Sequence, residues 1–238
     1  MRELPIRDIT EHDDNCVRRV PIFSGLTTEQ QDLVATLARP QLVSAGELIH
    51  GPGQRTGKMF VVHTGEIKLS RTLPSGRKHL LRVARPGDTL GEHAFLTGSA
   101  TLEEAEARSQ TRLCIFAHED LTHLIDQYPN IAHRMLRTLG DRLAHTEHRL
   151  TLSSQSVDLR IADYLLQQPL VRNAQTPDGV MRARLPMSKK DIASLLGTTP
   201  ESLSRALARL RKKGLVAVDE DVVSLLQPDA LEELITAE

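Results

Sequence analysis

The sequence predicts an α+β protein: an N-terminal antiparallel β-roll, one long helix, and a C-terminal domain of short helices closed by a β-hairpin. Short apolar segments separated by glycine turns fill the first half of the chain. A run with heptad spacing follows Pro129, and two short amphipathic segments meet at Gly197. We therefore expect an arm at residues 1–20, a β-roll sensor domain at 21–120, a dimerisation helix region at 121–155 and a further domain at 156–238.

The size and composition of the chain narrow the class of protein. A chain of 238 residues can form two domains, each with its own core. No window approaches the roughly 20 apolar residues of a membrane span, and the charged N-terminal segment lacks the apolar centre of a signal peptide. Two cysteines indicate a reducing compartment. We expect a cytoplasmic protein with no membrane partner, and the lack of common nucleotide-binding, zinc-protease and nucleophile-elbow motifs argues against an enzyme.

The β-roll prediction rests on short strands and their turns. Residues 59–63 and 66–70 are strand-like, and glycine-containing turns occur near 51–53, 64–65, 74–76 and 86–88. Many short strands with such turns are typical of a barrel or jelly roll.

The long helix after Pro129 carries a heptad seam. Its members are Ala132, Leu136, Leu139, Leu143, Thr146 and Leu150, which alternate steps of four and three. The seam favours a parallel coiled coil between two copies of the chain, with Leu136, Leu139, Leu143 and Leu150 in the interface. The alternative is a helix packed on its own domain.

Residues 186–215 predict two short helices joined by a tight turn. Ser188 is a good N-cap for the first helix, Gly197 supplies the turn, and Pro200 suits the first position of the second helix. Apolar residues recur at helical spacing, namely Ile192, Leu195 and Leu196, then Leu203, Leu207 and Leu210. This helix-turn-helix predicts a reader of double-stranded DNA. The alternative is a helical hairpin of a protein–protein module.

The outward face of the second helix carries polar and basic side chains. Glu201 can accept a hydrogen bond from the cytosine amino group, and Arg205 can donate to guanine or to a phosphate. The formal net charge is only −1, yet residues 186–214 hold seven Lys/Arg against two Asp/Glu. A local basic stripe of this kind provides phosphate contacts.

These residues resemble a known family. The run from Glu201 to Arg205 resembles the E-x-x-S-R recognition signature of the FNR branch of the CRP/FNR transcription regulators. The turns at Gly65, Pro86 and Gly91 are similar to those of the family's cyclic-nucleotide-binding β-roll, so the resemblance covers essentially the whole chain. It implies a homodimer with a winged helix-turn-helix, and contact with RNA polymerase if the protein is an activator.

The resemblance also implies a DNA site. Glu201, Ser204 and Arg205 match the base-reading positions, and the serine marks the branch that prefers TTGAT-like half-sites, which predicts a palindrome close to TTGAT-N4-ATCAA. Pro200 stands where the CRP branch has an additional guanine-reading arginine. The predicted phosphate contacts are Ser188, Lys189, Thr199, Ser202 and Arg209.

The sequence identifies the DNA-reading residues more clearly than it identifies a ligand of the β-roll. The family binds a cyclic phosphate through an arginine after the Gly-Glu turn, but this chain has Thr101 and Leu102 there, with two glutamates beyond. Arg108 comes several residues too late. A cyclic phosphate buried without its cation is electrostatically unfavourable, so we expect cyclic AMP not to be the signal.

The two cysteines suggest another signal. In the FNR branch, four cysteines hold an iron–sulfur cluster. This chain retains only Cys16 and Cys114, which excludes such a cluster within one protomer. The resemblance places both near one site, where they would form a reversible disulfide, bind Cu(I) or Zn(II) with His12, or hold a heme. Alternatively, Cys114 is a core residue, and the protein responds to a small organic or nucleotide ligand, or binds DNA constitutively.

Overall fold

The computed structural model describes residue 17 and residues 20–168, 170–172, 181–185, 188–219 and 222–236. The chain divides into two compact units, Met1–Leu143 and Ala144–Glu238. None of the described helices combines the length and the hydrophobicity that crossing a bilayer requires.

The first unit contains a β-roll with helices on both sides of it in the sequence. A 3-10 turn at Pro21–Phe23 precedes α1 (Thr28–Leu37). The strands are β1 (Arg39–Val43), β2 (Leu48–His50), β3 (Lys58–Thr64), β4 (Ile67–Thr72), β5 (Lys78–Ala84), β6 (Thr89–Leu90), β7 (Glu104–Ala107) and β8 (Thr111–Ala117). The helices are α2 (Glu92–Thr97), between β6 and β7, then α3 (His118–Gln127) and α4 (Pro129–Leu152), of which α4 continues into the second unit.

Two four-stranded antiparallel sheets form the roll, which confirms the predicted β architecture. Their strand orders are β1-β8-β3-β6 and β2-β7-β4-β5. Residues on the inner faces, including Phe60, Val62 and Leu113, form one buried cluster.

Strand β3 is buried on both faces. Met59 and Val61 belong to a second cluster with residues of the N-terminal turn and of α1, α3 and α4, while Phe60 and Val62 face the interior of the roll. Residues 59–62 are therefore apolar and buried throughout, without the apolar–polar alternation of a strand that has one face in water, because helices cover the outer face of this strand. Cys114, on the neighbouring strand β8, lies in the same outer cluster as Met59.

The second unit is a winged helix-turn-helix. Its helices are α5 (Val157–Leu166), α6 (Lys189–Leu195), α7 (Pro200–Lys212) and α8 (Pro228–Thr236). Its strands are β9 (Leu170–Arg172), β10 (Met181–Arg184), β11 (Val216–Asp219) and β12 (Val222–Leu225), joined in the order β11-β12-β10-β9. The predicted wing hairpin is thus half of a four-stranded sheet. Fully buried residues of α5, α7 and α8, such as Ile161, Leu210 and Leu231, contribute to the core.

Candidate nucleic-acid interface and sensor region

Local sequence determines the ends of both helices of the helix-turn-helix. The Ser188 hydroxyl accepts a hydrogen bond from the Asp191 N–H at 3.2 Å, and the Thr199 hydroxyl accepts from the Ser202 N–H at 3.2 Å. Both are N-cap contacts, which satisfy N–H groups that the first turn of a helix leaves without backbone partners. Gly197 has φ +62°, a conformation that strongly favours glycine. The predicted Ser188 cap, Gly197 turn and first-turn Pro200 are confirmed, and the Thr199 cap is an addition that the structure reveals.

Helix α7 is strongly amphipathic. Leu203, Leu207 and Leu210 are buried, whereas Glu201, Ser204 and Arg205 are exposed. On the shorter helix α6, Ile192 is buried, while Leu195 and Leu196 are only half-buried. The structure therefore brings the three predicted base-reading side chains together on the exposed face of α7.

The exposed side chains at the start of α7 form a small hydrogen-bonded group. Arg205 Nη2 donates to the Ser202 hydroxyl at 3.3 Å, and the Ser204 hydroxyl donates to the Pro200 carbonyl at 2.9 Å. The pKa of Glu201 is lowered, first by a hydrogen bond from its own backbone N–H and then by the Thr199 hydroxyl, with a smaller effect of Arg205. Glu201 is therefore an ionised acceptor beside a cationic donor, as base reading requires.

The five predicted phosphate-contacting residues are placed differently. Ser188, Lys189 and Thr199 are exposed at the beginnings of α6 and α7, and Ser202 is half-buried in the first turn of α7. Arg209 lies two turns further along α7 and donates to both carboxylate oxygens of Asp158 on α5, with Nε–Oδ2 at 3.0 Å. No pattern in the sequence predicted this partner.

Two arginines hold the turn between α6 and α7. Arg149 Nη2 donates to the Leu195 carbonyl at 2.6 Å, and Arg160 Nη1 donates to the Leu196 carbonyl at 2.6 Å and to that of Gly197 at 3.3 Å. These carbonyls end α6, where a helix leaves acceptors without backbone partners and where its dipole favours cations. The two contacts connect the recognition motif to the end of α4 and to α5 within the second unit.

The leucines of the α4 seam fall into two groups. Leu136, Leu143 and Leu150 are 65%, 59% and 72% exposed, at intervals of seven residues. Leu139, which we predicted in the same interface, is half-buried and lines a pocket with Met59 and Thr89 of its own β-roll. An exposed stripe of leucines is a candidate interaction surface.

A buried charged cluster joins α4 to the β-roll. Glu92 begins α2 directly after Gly91, where a Cβ would lie 2.7 Å from the Lys58 carbonyl. Arg142 Nη1 donates to Glu92 Oε1 at 2.6 Å, and Arg142 Nη2 donates to the carbonyl oxygen and the hydroxyl of Thr89 at 2.9 and 3.0 Å. Arg82 Nη2 also donates to the Thr89 carbonyl, at 2.9 Å.

Burial and neighbouring charges both shift the pKa values of Glu92 and Arg82 in this cluster. Burial alone would raise the pKa of Glu92, but Arg142, the Thr89 hydroxyl and Arg82 together hold it below its ordinary value. The pKa of Arg82 is lowered, first by burial and then by Arg142. Glu92 is therefore ionised because two guanidinium groups lie beside it.

The positions where the family has its phosphate-binding arginine contain no cation. The buried Thr101 hydroxyl donates to the Gly51 carbonyl at 2.6 Å, and Leu102 is half exposed. His50, nearby on β2, is almost fully buried, and this burial lowers its pKa although Glu103 acts in the opposite direction. A neutral imidazole and a glutamate do not suit a cyclic phosphate.

The predicted cysteine site is only partly within the described residues. Cys114 is 4% exposed, in a cluster with Val17, Val20 and Phe23. Cys16 and His12 lie outside the described residues. Among the residues that the structure does describe, no group of three or more His, Cys, Asp or Glu side chains could hold a metal ion.

The fold and the site define a DNA-binding regulator with a cyclic-nucleotide-binding-type domain. Residues 40–128 match the family described as "Cyclic nucleotide-binding domain", and residues 159–234 match the "Crp-like helix-turn-helix domain". The chain is 30% identical to the nitrogen fixation regulation protein FixK of Bradyrhizobium diazoefficiens over 227 residues, which are 94% of this chain and 93% of FixK.

Two further proteins are similar over most of their length. The cyclic AMP receptor protein of Thermus thermophilus is 29% identical over 90% of this chain and 96% of its own. The structure of FixK2 from Bradyrhizobium japonicum matches with a TM-score of 0.70 and 25% identity, over 83% of this chain and 96% of that one. The chain belongs to the CRP/FNR family of transcription regulators. It is a DNA-binding regulator and not an enzyme.

Proposed function

We propose that this protein is a homodimeric regulator that binds a TTGAT-N4-ATCAA-like palindrome through Glu201, Ser204 and Arg205. The observation that carries the proposal is the exposed face of α7, on which these three side chains lie together beside the basic residues of the helix. An ionised carboxylate and a guanidinium four residues apart can reach the amino group of cytosine and the acceptors of guanine. Ser188, Lys189, Thr199 and Ser202 supply phosphate contacts at the two helix starts.

The dimer is proposed from the exposed leucines of α4. A second copy of the chain is the occupant that matches a seven-residue repeat, because two such helices bury their seams against each other. A two-fold dimer presents two recognition helices to two half-sites one helical turn of DNA apart, as a palindrome requires. If the protein activates transcription, RNA polymerase is a further partner. The proposed location of the protein is the cytoplasm, where the DNA is.

The proposed signal is a redox or metal change at Cys16 and Cys114. Val17, the residue next to Cys16 in the sequence, packs in the same cluster as Cys114, and this contact supports the proposal. A reversible disulfide, Cu(I) or Zn(II) bound with His12, or a heme are the chemistries open to these side chains. Cyclic AMP is not proposed, because Thr101 and Leu102 provide no cation for its phosphate.

The test is DNA binding by the wild type and by the Cys16→Ser/Cys114→Ser double variant, each reduced, oxidised, and supplied with Cu(I), Zn(II) or heme. If only the wild type changes its affinity for the palindrome, the cysteine sensor is supported and the responding condition identifies the signal. If both proteins bind equally under all conditions, the cysteines are structural. The protein then either responds to a small ligand of the β-roll or binds DNA constitutively. If neither prefers the palindrome over a scrambled duplex, the proposed half-site is wrong.

A further inference from the structure

Arg209 is paired within the protein although it lies beside the recognition face. Its guanidinium donates from Nε to Asp158 Oδ1 and Oδ2 at 3.2 and 3.0 Å, and from Nη2 to Oδ1 at 2.5 Å. This two-donor contact fixes the guanidinium plane against the carboxylate, which a single hydrogen bond does not do. It joins the last turns of α7 to the first turn of α5.

The Asp158 carboxylate is largely buried at the start of α5. Its side chain is only 16% exposed, and it lies in the first turn of α5, where free N–H groups and the helix dipole favour a negative charge. The pKa of Arg209 is raised, chiefly by its hydrogen bonds to Asp158. If Arg209 moved to a DNA phosphate, the Asp158 carboxylate would lose its two-donor partner and keep only the N-terminus of α5 as compensation for its charge.

The position of Arg209 on α7 fits a role in orientation. Eight residues separate it from Glu201, so its side chain projects about 80° around the helix axis from that of Glu201. A rotation of α7 about its own axis would break the contact with Asp158 and would swing Glu201 and Arg205 away from their bases. Burial of Leu203, Leu207 and Leu210 restrains this rotation with apolar contacts, which are less directional than a two-donor ion pair.

We propose that Asp158 and Arg209 form a strut that sets the rotation of the recognition helix, and that Arg209 is a positioning residue rather than a phosphate ligand. The proposal revises the phosphate contact that the family resemblance implied for Arg209. It rests on the proposed DNA-reading function of α7 and adds two residues that determine specificity without contacting a base.

The test compares the full-length wild type, Asp158→Asn, Arg209→Gln and the double variant by fluorescence anisotropy. Each protein is titrated at several salt concentrations with the TTGAT-N4-ATCAA duplex and with a scrambled duplex of equal length. Arg211→Gln is the matched control, because it removes the same charge from an exposed arginine two residues away. Circular dichroism verifies that each variant is folded.

We expect each single variant to lower the preference for the palindrome about five- to tenfold, and the double variant to lower it no further. Affinity for the scrambled duplex should fall in Arg209→Gln no more than in Arg211→Gln. The slope of log K against log salt should be the same for Arg209→Gln and the wild type, whereas a lost phosphate contact would reduce it by about 0.9.

The opposite pattern of salt slopes and affinities would contradict the proposed positioning role of the Asp158–Arg209 pair. If Arg209→Gln reduces the salt slope while Asp158→Asn tightens binding to both duplexes, then Asp158 competes with DNA for a phosphate-binding arginine. A wild type that shows no preference for the palindrome refutes the proposed half-site instead. In that case thermal unfolding of the four DNA-free proteins still tests the strut, because non-additive losses of stability support it and additive losses contradict it.

Discussion

Arg142 on the long helix lies 2.6 Å from Glu92, at the start of the short helix that follows β6. Their side chains are 26% and 11% exposed, so this is a largely buried ion pair within the first unit. Thr89 hydrogen-bonds to both partners, and Arg82 adds a second positive charge. The contact fastens the middle of α4 to the β-roll at Thr89 and Glu92.

Arg142→Met should destabilise the protein by about 3 kcal/mol at neutral pH, because it leaves a buried carboxylate with only part of its compensating charge. Urea unfolding measures the effect. Arg137→Met, an exposed arginine of the same helix, is the control and should cost little. Adding Glu92→Gln to Arg142→Met should recover part of the loss; if the double variant is less stable than Arg142→Met, the charge argument fails.

The same pair predicts a dependence of stability on pH. In the wild type the folded-state pKa of Glu92 is below its ordinary value of 4.5, so its contribution is complete above that value and is lost as the pH falls through the folded-state pKa. In Arg142→Met, burial without Arg142 raises the pKa of Glu92. The stability deficit of the variant should therefore be greatest at neutral pH and shrink towards about pH 4. A deficit that does not vary with pH would show that lost packing, rather than charge, is responsible.

Arg160→Met should destabilise the second unit and weaken DNA binding. The carbonyls of Leu196 and Gly197 lose their donor, at a cost of about 1–3 kcal/mol. Thermal unfolding and binding to the palindrome should both be affected. Arg160→Lys should restore only part of the stability, because an ammonium is more strongly hydrated than a guanidinium and costs more to desolvate at this half-buried position. Complete rescue by lysine would mean that charge alone matters at this turn.

Glu201→Gln and Arg205→Met should each reduce the preference for the palindrome about ten- to a hundredfold, because each removes a base contact. The pKa of Glu201 is lowered, so the preference should stay constant as the pH falls to about its ordinary value of 4.5. Lys189→Gln should instead weaken binding to all duplexes and reduce the salt slope by about 0.9. Equal effects of all three variants on scrambled DNA would contradict the division into base and phosphate contacts.

Leu143→Asp should shift the protein from dimer to monomer, because it places a charge in the centre of the proposed coiled coil. Sedimentation velocity measures the mass, and DNA binding to the full palindrome should fall with it. Leu102→Asp changes a leucine that is 50% exposed on the β-roll and should leave the mass unchanged. If the wild type is monomeric, or if the Leu143→Asp protein remains dimeric, the exposed leucines of α4 do not form a dimer interface.

The helix-turn-helix was predictable because its signals are local. A cap, a left-handed glycine and an N-terminal proline act within a few residues, so Ser188, Gly197 and Pro200 could be assigned from spacing alone. The pairings of Arg142 with Glu92 and of Arg209 with Asp158 span 50 and 51 residues. No local pattern encodes such contacts, and both arginines look like ordinary solvent-exposed residues of a helix in the sequence.

The sequence by itself determined the order of β-roll, long helix and winged helix-turn-helix, together with the side chains on the outer face of α7. Hydrophobic periodicity and turn chemistry are properties of neighbouring residues, so they can be recognised in a single sequence without a structure. Only the tertiary structure decided which charges are paired, that Leu139 faces its own β-roll, and that Cys114 lies in the outer cluster with Val17. Those outcomes depend on how distant elements approach one another, because the energy of a charge depends on the partner and the burial that packing gives it.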